Sequence, residues 1–281
     1  MSGRLQVLLA AMLFSTAGVV VKATVLTSWQ IAGFRSAVAA VFLLLVARFP
    51  LRPTWRTLSV GLFIAVTFIT FIVANKQTTA AHAVFLQAAA PLYLVLLGPW
   101  LLAERVHARD IPFLCVVFVG LGLLFAGTVT PSATAPNPAF GNIIGAVSGV
   151  TWALVLAGVR LISRAEGLKG AMAATFYGNV FAFLLCAPVA FPVRAAGPID
   201  WAVIAYLGCF QLALAYVLLT RGIGKLPALE AALLLLLEPA LNPLWTFLVH
   251  GETPGIVGSI GGGLVLVATT ARALRPQGVE R

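Results

Sequence analysis

Ten apolar runs leave this chain little choice of environment. Each is close to the ~20 residues that a helix rising 1.5 Å per residue needs to cross a ~30 Å hydrocarbon core. They are Leu5–Val21, Trp29–Ala47, Leu58–Ala74, Ala80–Ala103, Ile111–Thr128, Phe140–Ile162, Ala171–Phe191, Trp201–Thr220, Ala228–Val249 and Gly255–Ala271. The runs are continuously apolar and do not alternate, which excludes a transmembrane β-barrel as the general form. Of 281 residues, 61% are hydrophobic and 9% charged, against about 25% charged in a soluble domain. No soluble core consumes that much apolar surface, so lipid is the solvent for much of the chain. The first run, after Arg4, has the look of a signal peptide. It lacks a small-x-small cleavage pattern before Lys22 and is counted as a span.

The connections are short. The longest, Val129 to Ala139, is uncharged and Pro-rich and falls almost at mid-chain, where an outer linker would join residues 1–128 to residues 140–281. The net charge of +10 does not read as nucleic-acid affinity, because the basic residues are spread between spans and not gathered on one soluble module. They carry topology instead. With ten spans, 14 of the 18 Lys and Arg fall on the side of the termini, three (Lys22, Lys76, Arg194) on the other, and Arg35 within a span. This bias predicts both termini in the cytoplasm of a multi-pass cell-membrane protein, inner or plasma membrane.

The chain also repeats itself. Leu233 to Glu252 carries Glu238 and Pro239 in its middle, and Ala90 to Glu104 has the same frame. Pro91 and Glu104 answer to Pro239 and Glu252 at one offset (239 − 91 = 148 and 252 − 104 = 148), as Ala80 and Ala83 answer to Ala228 and Ala231. Phe14 and Lys22 answer to Trp152 and Arg160 at a second offset (152 − 14 = 138 and 160 − 22 = 138). Five spans per half is an odd number, so the second copy inserts upside down relative to the first. The expectation is an all-α integral membrane protein of ten transmembrane helices in two inverted five-helix repeats, an architecture common among secondary transporters.

On these residues the chain resembles the drug/metabolite transporter superfamily, with two EamA-type repeats. The resemblance covers nearly the whole chain. In the first half it rests on Phe14-Ser15 before Lys22, the G-F-R containing Arg35, and A-N-K-Q-T-T-A-A-H-A leading to Pro91 and Glu104. In the second it rests on V-T-W-A at Val150–Ala153, L-E-P at Leu237–Pro239, Gly251-Glu252 and the glycines from Gly258 to Gly263. Each motif is short and apolar; their order and spacing are the specific part. The family implies small-metabolite or drug transport, often export, and within it the sequence resembles YddG-type exporters of aromatic amino acids. One position departs from repeat symmetry: the first-half equivalent of Glu238 is Ala90.

Polar groups inside spans are the candidates for function. Glu238 lies near mid-membrane, where an ionised carboxylate costs several kcal/mol unless paired or wetted. Two roles fit it: binding a proton or a substrate amine, or a structural hydrogen bond beside the Pro239 break. Pro91 and Pro239 each remove a helical N–H bond, which bends the fourth and ninth spans and frees a carbonyl. Arg35 can snorkel outward or hold a carboxylate bidentately. Lys76 and His82 flank the turn between the third and fourth spans, at the substrate path or simply in water. Gln87, Tyr93, Trp152, Tyr177, Asn179, Gln211, Tyr216, Asn242 and Trp245 add amides and aromatic rings that suit a planar amphipathic solute. Trp29, Trp100 and Trp201, near span ends, read as an interfacial belt. Gly141, Gly145 and Gly149, and again Gly258 and Gly262, read as close helix packing.

A carrier has two rivals. A membrane-embedded enzyme would need a catalytic constellation, yet there is no H-E-x-x-H, and His82, His107 and His250 sit on different loops or ends. A channel or scramblase needs no alternation of access. Cys115, Cys186 and Cys209 lie far apart inside apolar runs and read as small packing residues. The expected partners are a small-molecule substrate (aromatic or hydrophobic amino acids, or amphipathic drugs), the lipid bilayer and a proton gradient, with no cofactor and no metal.

Overall fold

The computed structural model describes residues 1–47, 51–78, 80–102, 111–124, 136–194, 196–250 and scattered positions between 256 and 271. Every regular element among the described residues is helical. Six helical segments are long and apolar enough to cross a membrane: Gly3–Val21, Ser28–Val46, Trp55–Gln77, Pro138–Ala165, Gly167–Ala190 and Pro198–Ile223. They coincide with the first, second, third, sixth, seventh and eighth expected spans. The fifth is represented by α7 (Ile111–Leu124), and the tenth lies largely outside the described residues.

The fourth and ninth runs are broken. α5 (Ala80–Ala88) gives way at Ala89 to α6 (Ala90–Leu102), and α12 (Ala228–Leu235) gives way at Leu236 to α13 (Leu237–His250). Both breaks precede the prolines of the repeated frame, as expected where a helical N–H is missing and the ring obstructs the preceding turn. The first span bends as well, between α1 (Gly3–Ser15) and α2 (Ala17–Lys22). There the hydroxyls of Ser15 and Thr16 donate back to the carbonyls of Met12 and Leu13 at 2.7 and 2.8 Å, a competition with the helical ladder that bends helices. A third irregularity joins α10 (Pro198–Tyr206) to α11 (Ala215–Ile223): residues Leu207–Leu214 form a π-helical segment.

α4 (Trp55–Gln77) is central, packed against α8 (Pro138–Ala165) and α9 (Gly167–Ala190). α3 (Ser28–Val46) lies against α9 and the π segment, and α1 against α11, α12 and α13. The glycine ribbon of α8 seats this helix on α4 and α5. A Cβ at Gly141 would stand 2.7 Å from the Thr78 nitrogen, and one at Gly149 would strike the Leu86 carbonyl. Gly258 and Gly262 lie outside the described residues.

Polarity is distributed for a lipid solvent. Leu45, Ile143 and Val189 are 78%, 65% and 60% exposed, whereas Arg35, Asn75 and Asn179 are buried. Exposed apolar surface on this scale marks a face that meets apolar surroundings. Trp29, Trp100 and Trp201 are exposed near the ends of their helices, as an interfacial belt requires. The asparagine amides inside the bundle serve their own helices, Asn75 donating to Phe71 and Asn179 to Thr175 at 3.2 and 2.9 Å.

Candidate functional site

Seven helices and the π segment converge on a cavity in the middle of the bundle. α1 supplies Phe14, α3 Arg35, α4 Thr67 and Phe68, and α5 Gln87. From the other half of the chain come Trp152 of α8, Gln211 of the π segment, Tyr216 of α11 and Glu238 of α13. Its volume of about 30 Å³ accommodates about two waters. A drug-sized ligand fills about 300 Å³ or more, so helices must part to admit a solute.

Tyr216 is the hub of the aromatic wall. Its ring meets those of Phe14, Phe68 and Trp152 edge-on, with centroids 5.5, 5.2 and 6.0 Å apart, and Phe14 meets Trp152 at 6.1 Å. Edge-to-face geometry puts the positive ring edge on the negative face of its neighbour. Phe14 and Trp152 are the pair related by the sequence repeat, so equivalent positions of the two halves touch across the cavity.

Arg35 is 1% exposed and has no carboxylate within salt-bridge distance among the described residues. Its Nη1 donates to Gln211 Oε1 at 3.1 Å and its Nη2 to the Phe68 carbonyl at 3.3 Å, with the Phe68 ring 5.6 Å from the guanidinium carbon. A guanidinium tolerates such a site because its charge is delocalised and weakly hydrated. Gln211 sits inside the π-helical segment, a type of irregularity common at functional sites. Close approach of this segment to α3 comes from Gly208, where a Cβ would stand 2.6 Å from Val38.

A second, smaller cavity of about 10 Å³ lies between the two helix breaks, walled by Pro91, Pro239, Gln87, Leu235 and Glu238. Each proline leaves the carbonyl four residues earlier without its helical donor, and those carbonyls belong to Gln87 (91 − 4) and Leu235 (239 − 4). Gln87 and Leu235 both belong to the wall where the breaks meet. Gln87, Trp152 and Glu238 border both cavities. The Gln87 amide is anchored by donation to Ser148 Oγ at 2.8 Å.

Six of the candidate side chains read from the sequence thus share one cavity: Arg35, Gln87, Trp152, Gln211, Tyr216 and Glu238. Seven others do not border either cavity. Lys76 reaches the Thr24 carbonyl at 3.1 Å at one end of the bundle, and Tyr177 donates to the Leu51 carbonyl at 2.9 Å. Asn179 bonds within α9, Tyr93 packs against the core, and His82 is half-buried on α5. Asn242 abuts Gly18, and Trp245 donates to Ser15 Oγ at 2.7 Å, holding the bend of the first span. Phe14, Thr67, Phe68 and Phe71 are cavity residues that sequence reading did not place. Phe14 had a signal in its repeat partner Trp152; Phe68 and Phe71 are indistinguishable from any phenylalanine in an apolar run.

Polar ties close the bundle at both ends of the cavity. At one end, Asp200 accepts from Thr24 Oγ1 (2.5 Å), Val25 N (3.1 Å) and Gly197 N (2.8 Å), next to Lys76 on Thr24. At the other, Arg4 of α1 pairs with Glu230 of α12 at 2.8 Å, and Arg160 donates to the carbonyls of Ile223 and Gly224. The first span enters both sets, with its bend between them.

The EamA-like transporter family model matches residues 1–126 and 139–271. The chain belongs to this family. It is 29% identical over 215 residues to an uncharacterized transporter of Archaeoglobus fulgidus, covering 76% of this chain and 75% of that protein. A solved crystal structure shares the fold, with a TM-score of 0.78 and 17% identity over 95% of each chain. Family membership within the drug/metabolite transporter superfamily makes the protein a multi-pass membrane transporter.

Proposed function

We propose that the chain is a secondary transporter that exports aromatic or other hydrophobic amino acids by alternating access through the central cavity. The observation that carries this reading is the composition of the cavity. An aromatic wall centred on Tyr216 faces the guanidinium of Arg35 and the carboxyl of Glu238 in one enclosure. A zwitterion with a planar side chain presents the matching groups: an anion for Arg35, a cation for Glu238 and a ring for the wall.

The transport mechanism is ten spans in two inverted repeats, both termini cytoplasmic. The two family matches separated by residues 127–138 support the division into halves, as do the frame at offset 148 and the positive-inside count. In the closed conformation both sets of end ties are made. Parting the Thr24, Lys76 and Asp200 set opens the cavity to the outside; parting Arg4–Glu230 opens it to the cytoplasm.

Reconstitution into liposomes tests the proposal. Loaded vesicles should show saturable counterflow of tryptophan or phenylalanine that is competed by other hydrophobic amino acids. Unsaturable leak, or saturable flux of unrelated solutes only, would sink it. In cells, overexpression should protect against toxic aromatic amino-acid analogues.

A further inference from the structure

The cavity holds two polar groups without a partner among the described residues. Arg35 Nε and the Tyr216 hydroxyl make no hydrogen bond there, and both residues are 1% exposed. Leaving a buried donor unmade is costly, and such groups call for an explanation. The guanidinium is not free to turn and satisfy itself. Gln211 and the Phe68 carbonyl pin its two Nη groups, so the Nε–H edge is what remains. Tyr216 is fixed too, by three ring contacts. It lines the same cavity as Arg35 and Glu238.

We infer that Arg35 Nε and the Tyr216 hydroxyl together form the anion subsite of the transporter and bind the substrate carboxylate. This deepens the amino-acid reading and rests on it. One N–H and one O–H suit the two oxygens of a carboxylate. A phosphate monoester carries more charge and more acceptors than this pair serves. Tyr216 then has two duties, with its ring in the aromatic wall and its hydroxyl on the carboxylate. Gln211 is a positioning residue that acts by holding Nη1, and the π-helical segment is what brings its amide to Arg35. Glu238 lines the same cavity and would take the ammonium group of an amino acid held there by its carboxylate.

The test is calorimetric titration of the purified full-length protein with three indole compounds. Tryptophan carries both charges, indole-3-propionate only the carboxylate, and tryptamine only the ammonium. The unmodified protein should bind the two carboxylates and bind tryptamine at least tenfold more weakly than tryptophan. Tyr216→Phe keeps the ring and deletes a hydroxyl with no hydrogen-bond partner among the described residues, so the fold is retained. It should weaken tryptophan and indole-3-propionate by about tenfold or more and leave tryptamine unchanged. A merely structural hydroxyl would shift all three ligands alike. The inference is overturned if neither carboxylate binds, if tryptamine binds as tightly as tryptophan, or if Tyr216→Phe leaves both carboxylates at wild-type affinity. Carboxylate binding without tryptophan flux in vesicles would refute the transport reading alone and leave the subsite standing.

Discussion

Gln211→Leu should cost more than Arg35→Met, and the difference follows from which side of the 3.1 Å bond is removed. Gln211→Leu strips an acceptor from a guanidinium that is 1% exposed and keeps its charge. A hydrogen bond to a charged group is worth about 1.5–3 kcal/mol in soluble proteins, while polar contacts between membrane helices average about 0.6 and reach about 1.7 kcal/mol. Arg35 retains the Phe68 carbonyl and ring, so the loss belongs near the upper end of the membrane scale, about 1–2 kcal/mol. At about 2–4 °C per kcal/mol, the melting temperature should fall by about 2–8 °C. Arg35→Met instead leaves two acceptors, Gln211 Oε1 and the Phe68 carbonyl, without a donor, each costing about 1–3 kcal/mol. It also removes a buried charge whose desolvation costs several kcal/mol. These terms oppose each other, and the net change should lie within about 1 kcal/mol of zero. In the Arg35→Met background, Gln211→Leu should then regain about 1–3 kcal/mol, because it deletes the acceptor that the first substitution orphaned.

The chain supplies its own reporter for this cycle. Cys186 is fully buried and packs in the cluster that contains Ile31 and Phe34 of α3, whereas Cys115 is exposed. A thiol-reactive fluorophore reaches Cys115 and the half-buried Cys209 in the folded bundle and Cys186 only as it unfolds, so a Cys115→Ser, Cys209→Ser background gives a melting curve in detergent. Equal and additive losses for the two single variants would refute the reasoning, since the bond between Arg35 and Gln211 would then carry no coupling energy.

Glu238→Gln should fold normally and, if the carboxylate carries the proton, make counterflow insensitive to an imposed pH gradient. Normal, gradient-independent flux in both forms would remove any proton role. Asp200→Asn weakens the acceptor of three bonds, and it should speed labelling of a Thr67→Cys cavity thiol by an impermeant maleimide added outside. Glu230→Gln should do the same from the cytoplasmic side only; labelling that rises from both sides in either variant would contradict alternation. Gly149→Ala drives a methyl into the Leu86 carbonyl and should cost about 1–3 kcal/mol, read as a lower melting temperature. The same change at Gly98, where nothing stands within 4 Å, should be silent.

Spacing carried most of what was legible in the sequence. Apolar run lengths gave the helices, the prolines gave the breaks at Ala89 and Leu236, and Gly141, Gly145 and Gly149 gave the face on which α8 is seated. The illegible features arise from tertiary contact. A π-helical segment at Leu207–Leu214 leaves no mark in an apolar run, so the meeting of Gln211 with Arg35 had no signature. Phe68 and Phe71 look like lipid-facing residues until the bundle closes around them. Tyr177 and Asn179 have the chemistry of cavity residues, but the Tyr177 hydroxyl and the Asn179 amide nitrogen donate to backbone carbonyls away from the cavity.

The repeat sharpens what distinguishes this cavity. Ala90 and Glu238 are equivalent positions (238 − 148 = 90), and both line the small cavity where the two breaks face each other. The frame is symmetric in its prolines and in the carbonyls they release from Gln87 and Leu235, and asymmetric at this one pair. A symmetric frame is what alternation requires, because each half must adopt the other's conformation. Asymmetry is what recognition of an asymmetric solute requires. Glu238 and Ala90 share the small cavity, and Glu238 and Arg35 share the larger one, so on the proposed reading the pathway gains a cationic and an acidic group without a change to the proline frame. Ala90→Glu would restore the symmetry and place two carboxyls at the junction of the breaks. It should abolish discrimination between tryptophan and tryptamine in favour of the amine, whereas an unchanged preference would show that position 238 takes no part in recognition.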